Sequence, residues 1–219
     1  MKLGQRLQQY RDDARQKYGA QAFEVYDRFI AHLRDSGLAN RCLKPGDAMP
    51  DFALPNAEGR VVSSHELLAR GPLVISFFRG DWCPYCSMEL QALSEILPDI
   101  NLAGATLVAI TPDAAGNPLR TKRRFGIEYE ILSDVDNGLG MQFGVVFLVP
   151  DNLRAEYERN GIDLPRRHGS SAVFLPIPAT YVVDGSGIIR HADLDPDWRR
   201  RMEPDAIVAL LGELRPDRV

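Results

Sequence analysis

The stretch that most constrains this chain is Val74-Ile75-Ser76-Phe77-Phe78-Arg79-Gly80-Asp81-Trp82-Cys83-Pro84-Tyr85-Cys86. Its β-branched and aromatic beginning reads as a buried strand, Arg79 to Trp82 as a loop, and Pro84 as part of the first turn of a helix. Both cysteines then stand at a helix N-terminus. Unpaired N–H groups and the positive end of the helix dipole favour a thiolate there. A strand, a turn and a helix are thereby committed around a dithiol, and the remaining chain has to supply the core that supports them.

With 219 residues, 45% hydrophobic and 26% charged, the chain can bury one good core. Lys2-Leu3-Gly4-Gln5-Arg6 follows the first residue without an apolar targeting region, and no stretch approaches the length that spans a bilayer. The expectation is a soluble, cytoplasmic protein with no membrane partner. Cys42, Cys83 and Cys86 are the three cysteines, too few for a disulfide scaffold and suited to a reducing compartment. The net charge of −4 argues against a nucleic-acid partner. No phosphate-cradling glycine loop or nucleotide fingerprint is present, so no cofactor is expected.

Residues 1–44 hold nine Lys and Arg against five Asp and Glu, a local +4 that leaves −8 for the rest. Leu3, Leu7, Tyr10 and Ala14 recur at helical spacing, as do Phe23, Tyr26, Ile30 and Leu33, with Gly19 and Gly37 where each helix would stop. This predicts a helical hairpin over residues 1–42 whose apolar stripes need a partner, the main domain or a second copy of the chain ahead of a membrane or nucleic acid docked on its basic face. From Leu43 onward the order reads as an edge strand near Asp51–Asn56, a helix capped at Ser63 or Ser64, the strand Leu73–Phe78, and the dithiol helix that Pro98 ends. A strand at Ala105–Ile110, a helix at Leu119–Phe125, a strand at Glu130–Leu132, and helices at Asn137–Phe143 and Asp151–Glu158 follow. Leu164 to Phe174 shows no period. Strands at Ala179–Val183 and Ile188–His191 are joined through Asp184-Gly185-Ser186-Gly187 as a hairpin, and Pro204 opens the last helix. Strands alternating with helices imply an α/β protein with a mixed sheet.

Asp47-Ala48-Met49-Pro50-Asp51-Phe52-Ala53-Leu54, Trp82-Cys83-Pro84-Tyr85-Cys86, Leu132-Ser133-Asp134 before Gly144, and Ala179 to Gly187 resemble, in that order, the peroxiredoxin superfamily. The similarity is greatest to the peroxiredoxin-like branch of the alkyl hydroperoxide reductase and thiol-specific antioxidant family, and it covers roughly residues 43–215. It implies a thioredoxin-like domain over 43–219 behind the helical extension. It also implies reduction of a small-molecule peroxide, with electrons returned by thioredoxin or a similar dithiol donor. Aligned in the peroxiredoxin register, Cys86 takes the peroxidatic position, Arg79 falls where the family has its active-site proline, Cys83 where it has a threonine, and Pro178 where it has an arginine. In the thioredoxin register Cys83 is the nucleophile and Cys86 resolves, and the cis-proline facing the dithiol belongs at Ala179, one residue after Pro178. Both registers stay open.

The residues carry the same chemistry without the family. A thiolate attacks the distal oxygen of a peroxide, giving a sulfenic acid and an anionic leaving group that needs a cation, and a second thiol then closes a disulfide. Cys83, Cys86 and Arg79 are the candidate catalytic residues, with Asp81, Trp82, Pro84, Pro178 and Thr180 in support. Arg79 is the nearest fixed cation in sequence and would lower the thiolate pKa; its alternative is a surface pair with Asp81 or Asp51. Cys83, at the very start of the helix, is expected to be the more exposed sulfur, and the disulfide to be open to an external dithiol. Asp81 reads as a loop anchor or a proton carrier, Trp82 as a shield, and Cys42 as an apolar filler or a resolving thiol. A zinc half-site would need two further ligands, and the four histidines are scattered. Lys122-Arg123-Arg124 and Arg199-Arg200-Arg201 read as solvated helix faces. A disulfide oxidoreductase acting on proteins, and a non-catalytic redox sensor or binding module using the helical hairpin, are the alternatives to a peroxidase.

Overall fold

The computed structural model of the chain describes residues 1–114, 116–171 and 173–214. Helices α1 (Leu3–Tyr18), α2 (Glu24–Asp35) and the short α3 (Leu38–Arg41) come first. A two-stranded ribbon, β1 (Ala53–Pro55) with β2 (Val61–Ser63), leads into α4 (Ser64–Leu68), whose first turn is capped by the Ser63 hydroxyl accepting from Glu66 N at 3.1 Å. Then follow β3 (Leu73–Phe77), α5 (Pro84–Glu95), α6 (Leu97–Leu102), β4 (Thr106–Thr111), α7 (Asn117–Phe125), β5 (Glu130–Ser133) and α8 (Gly138–Gln142). The second half continues with β6 (Val146–Leu148), α9 (Asp151–Arg159), α10 (Leu164–His168), β7 (Phe174–Pro176), β8 (Ala179–Val183), β9 (Ile189–Leu194) and α11 (Pro204–Glu213).

Five strands form one mixed sheet in the order β5-β4-β3-β8-β9, in which β3, β4 and β5 run parallel and β8 and β9 are antiparallel additions. All five residues of β3 are buried, as its unbroken apolar run requires of a central strand. Phe77, Phe143 and Tyr181 close the core beside its end, with ring centroids 4.8 to 6.2 Å apart at steep angles. The mixed α/β architecture with helices at the N-terminus is the one expected.

The unperiodic stretch around Leu164–Phe174 contains α10 and, at its end, β7, which pairs antiparallel with β6 outside the main sheet. Both elements are too short to show a period, although Asp163, accepting from Arg166 N at 3.0 Å, and Pro165 mark the start of α10 in the usual way. Pro98 lies in the first turn of α6, so the dithiol helix ends three residues before it.

The two N-terminal helices pack on the body of the protein. Leu3 and Leu7 are buried, and the N–H groups of Leu3 and Gly4 donate to the Glu203 carboxylate at 3.1 and 2.8 Å, satisfying the first turn of α1. Phe29, Ile30 and Leu33 of α2 join the same core.

Candidate active site

The strand β3 ends where its backbone must turn. Phe78 still donates to Ile110 O at 2.9 Å, but Gly80 has φ +137°, and a Cβ there would lie 2.4 Å from Trp82 Nε1. This turn drops Cys83 onto the N-cap of α5, with Pro84 in the first turn and Cys86 inside it. The loop is anchored by Asp81. Its carboxylate pairs with Arg167, which also holds Asp113 at 2.6 Å, and its carbonyl accepts from the Ser87 hydroxyl at 3.1 Å. Asp81 is therefore a loop anchor, and Arg79 pairs with neither Asp81 nor Asp51.

Both sulfurs are buried, Cys83 at 1% and Cys86 at 0% exposure, so the expected difference in exposure is marginal. Pro84 covers the helix start, and Trp82, Tyr85 and Trp198 close in above it. What separates the sulfurs is their surroundings. Cys83 forms part of the wall of a cavity of about 590 Å³, and Cys86 does not.

Arg79, only 3% exposed, donates from Nη2 to Cys83 Sγ at 3.0 Å and from Nη1 to the Tyr157 hydroxyl at 2.9 Å. Its guanidinium lies between the rings of Trp82 and Trp198, 5.0 and 4.5 Å from their centroids. Among the described residues no carboxylate pairs with it, so its charge faces the sulfur uncompensated. Burial alone would push the Cys83 thiol up; the Cys86 thiol bonded to it, with the charges of Arg79 and Arg201, instead holds it well below the ordinary thiol value. Cys86 is pushed well above that value, first by burial and then because it gives its hydrogen bond to Cys83.

Arg201 reaches Cys86 Sγ at 3.4 Å, but its Nε sits 2.5 Å from Glu89, and both side chains are buried. Its Nη1 donates to the backbone carbonyls of Trp198 and Arg200. The Arg199-Arg200-Arg201 run is thus not a solvated face: Arg200 is exposed, while Arg199 is buried against Asp197 and Asp27 and Arg201 lies under the dithiol.

The AhpC/TSA family model matches residues 45–192. The chain belongs to the AhpC/TSA family. Peroxiredoxin Q of rice chloroplasts is 27% identical over 146 residues, which are 67% of this chain and 57% of that protein. The chain thus spans little more than half the length of that relative. The chloroplast peroxiredoxin Q of Sedum lineare is 26% identical over 160 residues, 73% of each chain. Peroxidoxin BcpB of Mycobacterium tuberculosis shares the fold with a TM-score of 0.63 at 21% identity, over 80% of this chain and 99% of that one. The bacterioferritin comigratory protein of Xanthomonas campestris does so with a TM-score of 0.59 at 18% identity, over 79% and 97%. These structures are peroxiredoxins of thioredoxin-like fold, as the resemblance implied.

In this AhpC/TSA chain the structure brings together Arg79, Trp82, Cys83, Pro84 and Cys86 and leaves other expected residues aside. Ala179 pairs with Phe77, so Pro178 and Thr180 flank the end of β3, but Thr180 is an interior residue of β8 opposite Ser76 and Asp193. Among the described residues Thr180 gives no hydrogen bond to either sulfur, and no peptide bond is cis, so Pro178 is trans. Cys42 is buried apart from the pair, its sulfur directed at the Leu38 and Gly144 carbonyls, and burial raises its pKa to about 11. Tyr157, Trp198, Arg201 and Glu89 are the site residues missed by sequence reasoning. Among the described residues no group of three or more His, Cys, Asp or Glu could hold a metal ion, and no helix is long and apolar enough to cross a membrane.

Proposed function

We propose that the chain is a thiol peroxidase in which Cys83 is the nucleophile, Cys86 the resolving thiol and Arg79 the cation that stabilises both thiolate and leaving group. The observation that carries this reading is the buried Arg79 guanidinium, free of any carboxylate among the described residues and 3.0 Å from Cys83 Sγ at the wall of the cavity. In such a site a fixed charge acts with little screening. The Cys83 thiolate attacks the distal peroxide oxygen; the S–O bond forms as the O–O bond breaks, and the departing alkoxide or hydroxide takes a proton and leaves as alcohol or water. Cys83 is left as a sulfenic acid. The Cys86 sulfur then attacks Cys83, its thiol proton leaving with the displaced hydroxyl as water, which closes the Cys83–Cys86 disulfide and also forestalls overoxidation. A dithiol donor such as thioredoxin returns two electrons and two protons, and the reducing cytoplasm is the compartment that sustains this cycle.

The cavity at Cys83 gives the buried sulfur room for a small peroxide as its first reaction partner, and the Cys83–Cys86 disulfide formed afterwards is what the dithiol donor has to reach. The alkyl peroxide reduction activity named for the Xanthomonas campestris protein points the same way. Stopped-flow peroxide consumption by the wild type and by the Cys83→Ser and Cys86→Ser variants tests the proposal. Consumption far faster than by free cysteine, lost in Cys83→Ser, is the expected result. Consumption no faster than by free cysteine, with reduction of insulin disulfides by the same preparation, would establish the alternative.

A further inference from the structure

We infer that the N-terminal helices set the substrate range: α1 and α2 wall the cavity at Cys83 into a seat for the aromatic or similarly bulky apolar group of an organic hydroperoxide. Such a molecule is therefore favoured over hydrogen peroxide. The inference rests on the peroxidase reading and assigns a role to the part of the chain that the family match, starting at residue 45, leaves out.

The cavity has two unlike ends. At its base lie the Cys83 sulfur and the Arg79 guanidinium; toward the surface its wall carries Tyr10, Ala14 and Tyr18 from α1, Phe23 from the turn between the helices and Tyr26 from α2, with Tyr18 62% exposed, and Glu156 and Asn160 share the lining. A peroxide group seated on the sulfur would direct its substituent toward these rings. Tyr10 packs edge-on against Tyr85, the neighbour of the nucleophile's helix turn, with centroids 5.3 Å apart. Tyr26 stands 6.2 Å from both Tyr157 and Trp198, so the wall from α2 is continuous with the aromatic cage of Arg79. At about 590 Å³ the space is in the range that accommodates organic ligands, roughly 300–1,000 Å³, whereas a water-sized molecule needs only about 30 Å³. Hydrogen peroxide would leave most of it to solvent.

The wall is held in place. Asp27 of α2 binds Arg199 at 2.6 Å and Arg15 of α1 at 2.5 Å, and Glu203 fixes the start of α1. A bulky apolar substituent therefore meets formed surface, and burying it there draws on the hydrophobic effect without ordering a loop.

Second-order rate constants for cumene hydroperoxide and hydrogen peroxide, measured side by side on the full chain, decide the matter. The wild type is expected to favour cumene hydroperoxide by about tenfold or more. Two opposite changes to the wall should each lower that preference by about tenfold: Phe23→Ala by removing apolar contact, and Ala14→Phe by filling the seat without removing packing. A wild type that reacts equally with both, or a preference unmoved in both variants, overturns the inference while leaving the peroxidase reading intact. Failure to consume either peroxide removes both.

Discussion

Cys83 and Cys86 lie on one helical turn, are both buried, and each accepts a hydrogen bond from an arginine, yet their thiols are pushed in opposite directions, Cys83 below the ordinary value and Cys86 above it. Arg79 is enclosed by Trp82, Trp198 and the neutral Tyr157 hydroxyl, so the Cys83 sulfur is the anion it attracts. Arg201 is bound to Glu89 at 2.5 Å, which offsets much of its field at Cys86. The two arginines differ in whether a carboxylate already offsets their charge. The same contrast assigns roles, because a nucleophile needs a low pKa and an open side, whereas a resolving thiol can stay protonated until the sulfenic acid has formed.

The harshest way to break this comparison is to remove one sulfur at a time. Cys83→Ser is expected to lower peroxide consumption by on the order of 10⁴-fold or more. Cys86→Ser should instead allow one rapid turnover and then stop, with the sulfenic acid found on Cys83 by mass spectrometry. A sulfenic acid on Cys86 in the Cys83→Ser protein, formed at the wild-type rate, would invert the assignment.

Removing the unneutralised cation comes next. Arg79→Met should slow reaction with peroxide by about 10²- to 10³-fold at neutral pH. The pH midpoint of iodoacetamide alkylation at Cys83 should move up toward the ordinary thiol value of 9.0. Stability gives an independent reading of the same group. In the wild type the folded protein releases the Cys83 proton more readily than the unfolded chain does. Between the depressed folded pKa and the ordinary value the unfolded state therefore binds more protons, and stability rises with pH. That contribution is lost as pH falls through the folded pKa. Denaturant titrations across this window should show the rise in the wild type and a smaller one in Arg79→Met.

Much of the Cys83 side was legible in the sequence because it is local: Arg79, Trp82 and Pro84 lie within four residues of the sulfur, and strand, loop and helix signals fix their order. The Cys86 side was not. Arg201 is 115 positions away, in a triplet of arginines whose composition is that of a solvated face, and only the chain path beyond β9 tucks its side chain under α5. Tyr157 was read within a helix, but nothing in a helical period says which distant group a phenol will meet. The burial of the sulfurs escaped for a related reason. A C-x-x-C at a helix start is open by default, and here Trp198 and the helices α1 and α2, distant in sequence, cover it.

Restoring the field of Arg201 would sharpen the comparison from the other side. Glu89→Gln keeps an acceptor for Arg201 Nε while removing the charge that offsets it. The alkylation rate of Cys86, read in a Cys83→Ser background at neutral pH, should rise about tenfold for each unit by which its thiol pKa falls. The variant leaves Arg201 as a buried unpaired cation, so a loss of about 3–5 kcal/mol in unfolding free energy should accompany the gain. An unchanged Cys86 reactivity in a folded protein would mean that Glu89 is not what keeps Arg201 from activating it.

The smallest effect concerns the phenol that steadies Arg79. Tyr157→Phe removes a neutral acceptor from Nη1 but leaves the guanidinium charge and both tryptophan faces in place. If charge is what distinguishes Cys83 from Cys86, the thiol pKa should move little. If the orientation of the guanidinium also matters, the rate with peroxide should still fall, by about threefold to tenfold, the worth of one hydrogen bond. Measured together, the pH midpoint of alkylation and the peroxide rate separate these contributions. A large upward shift of the midpoint in Tyr157→Phe would show that the hydrogen bond to Tyr157, rather than the absence of a carboxylate, is what lets Arg79 act on Cys83.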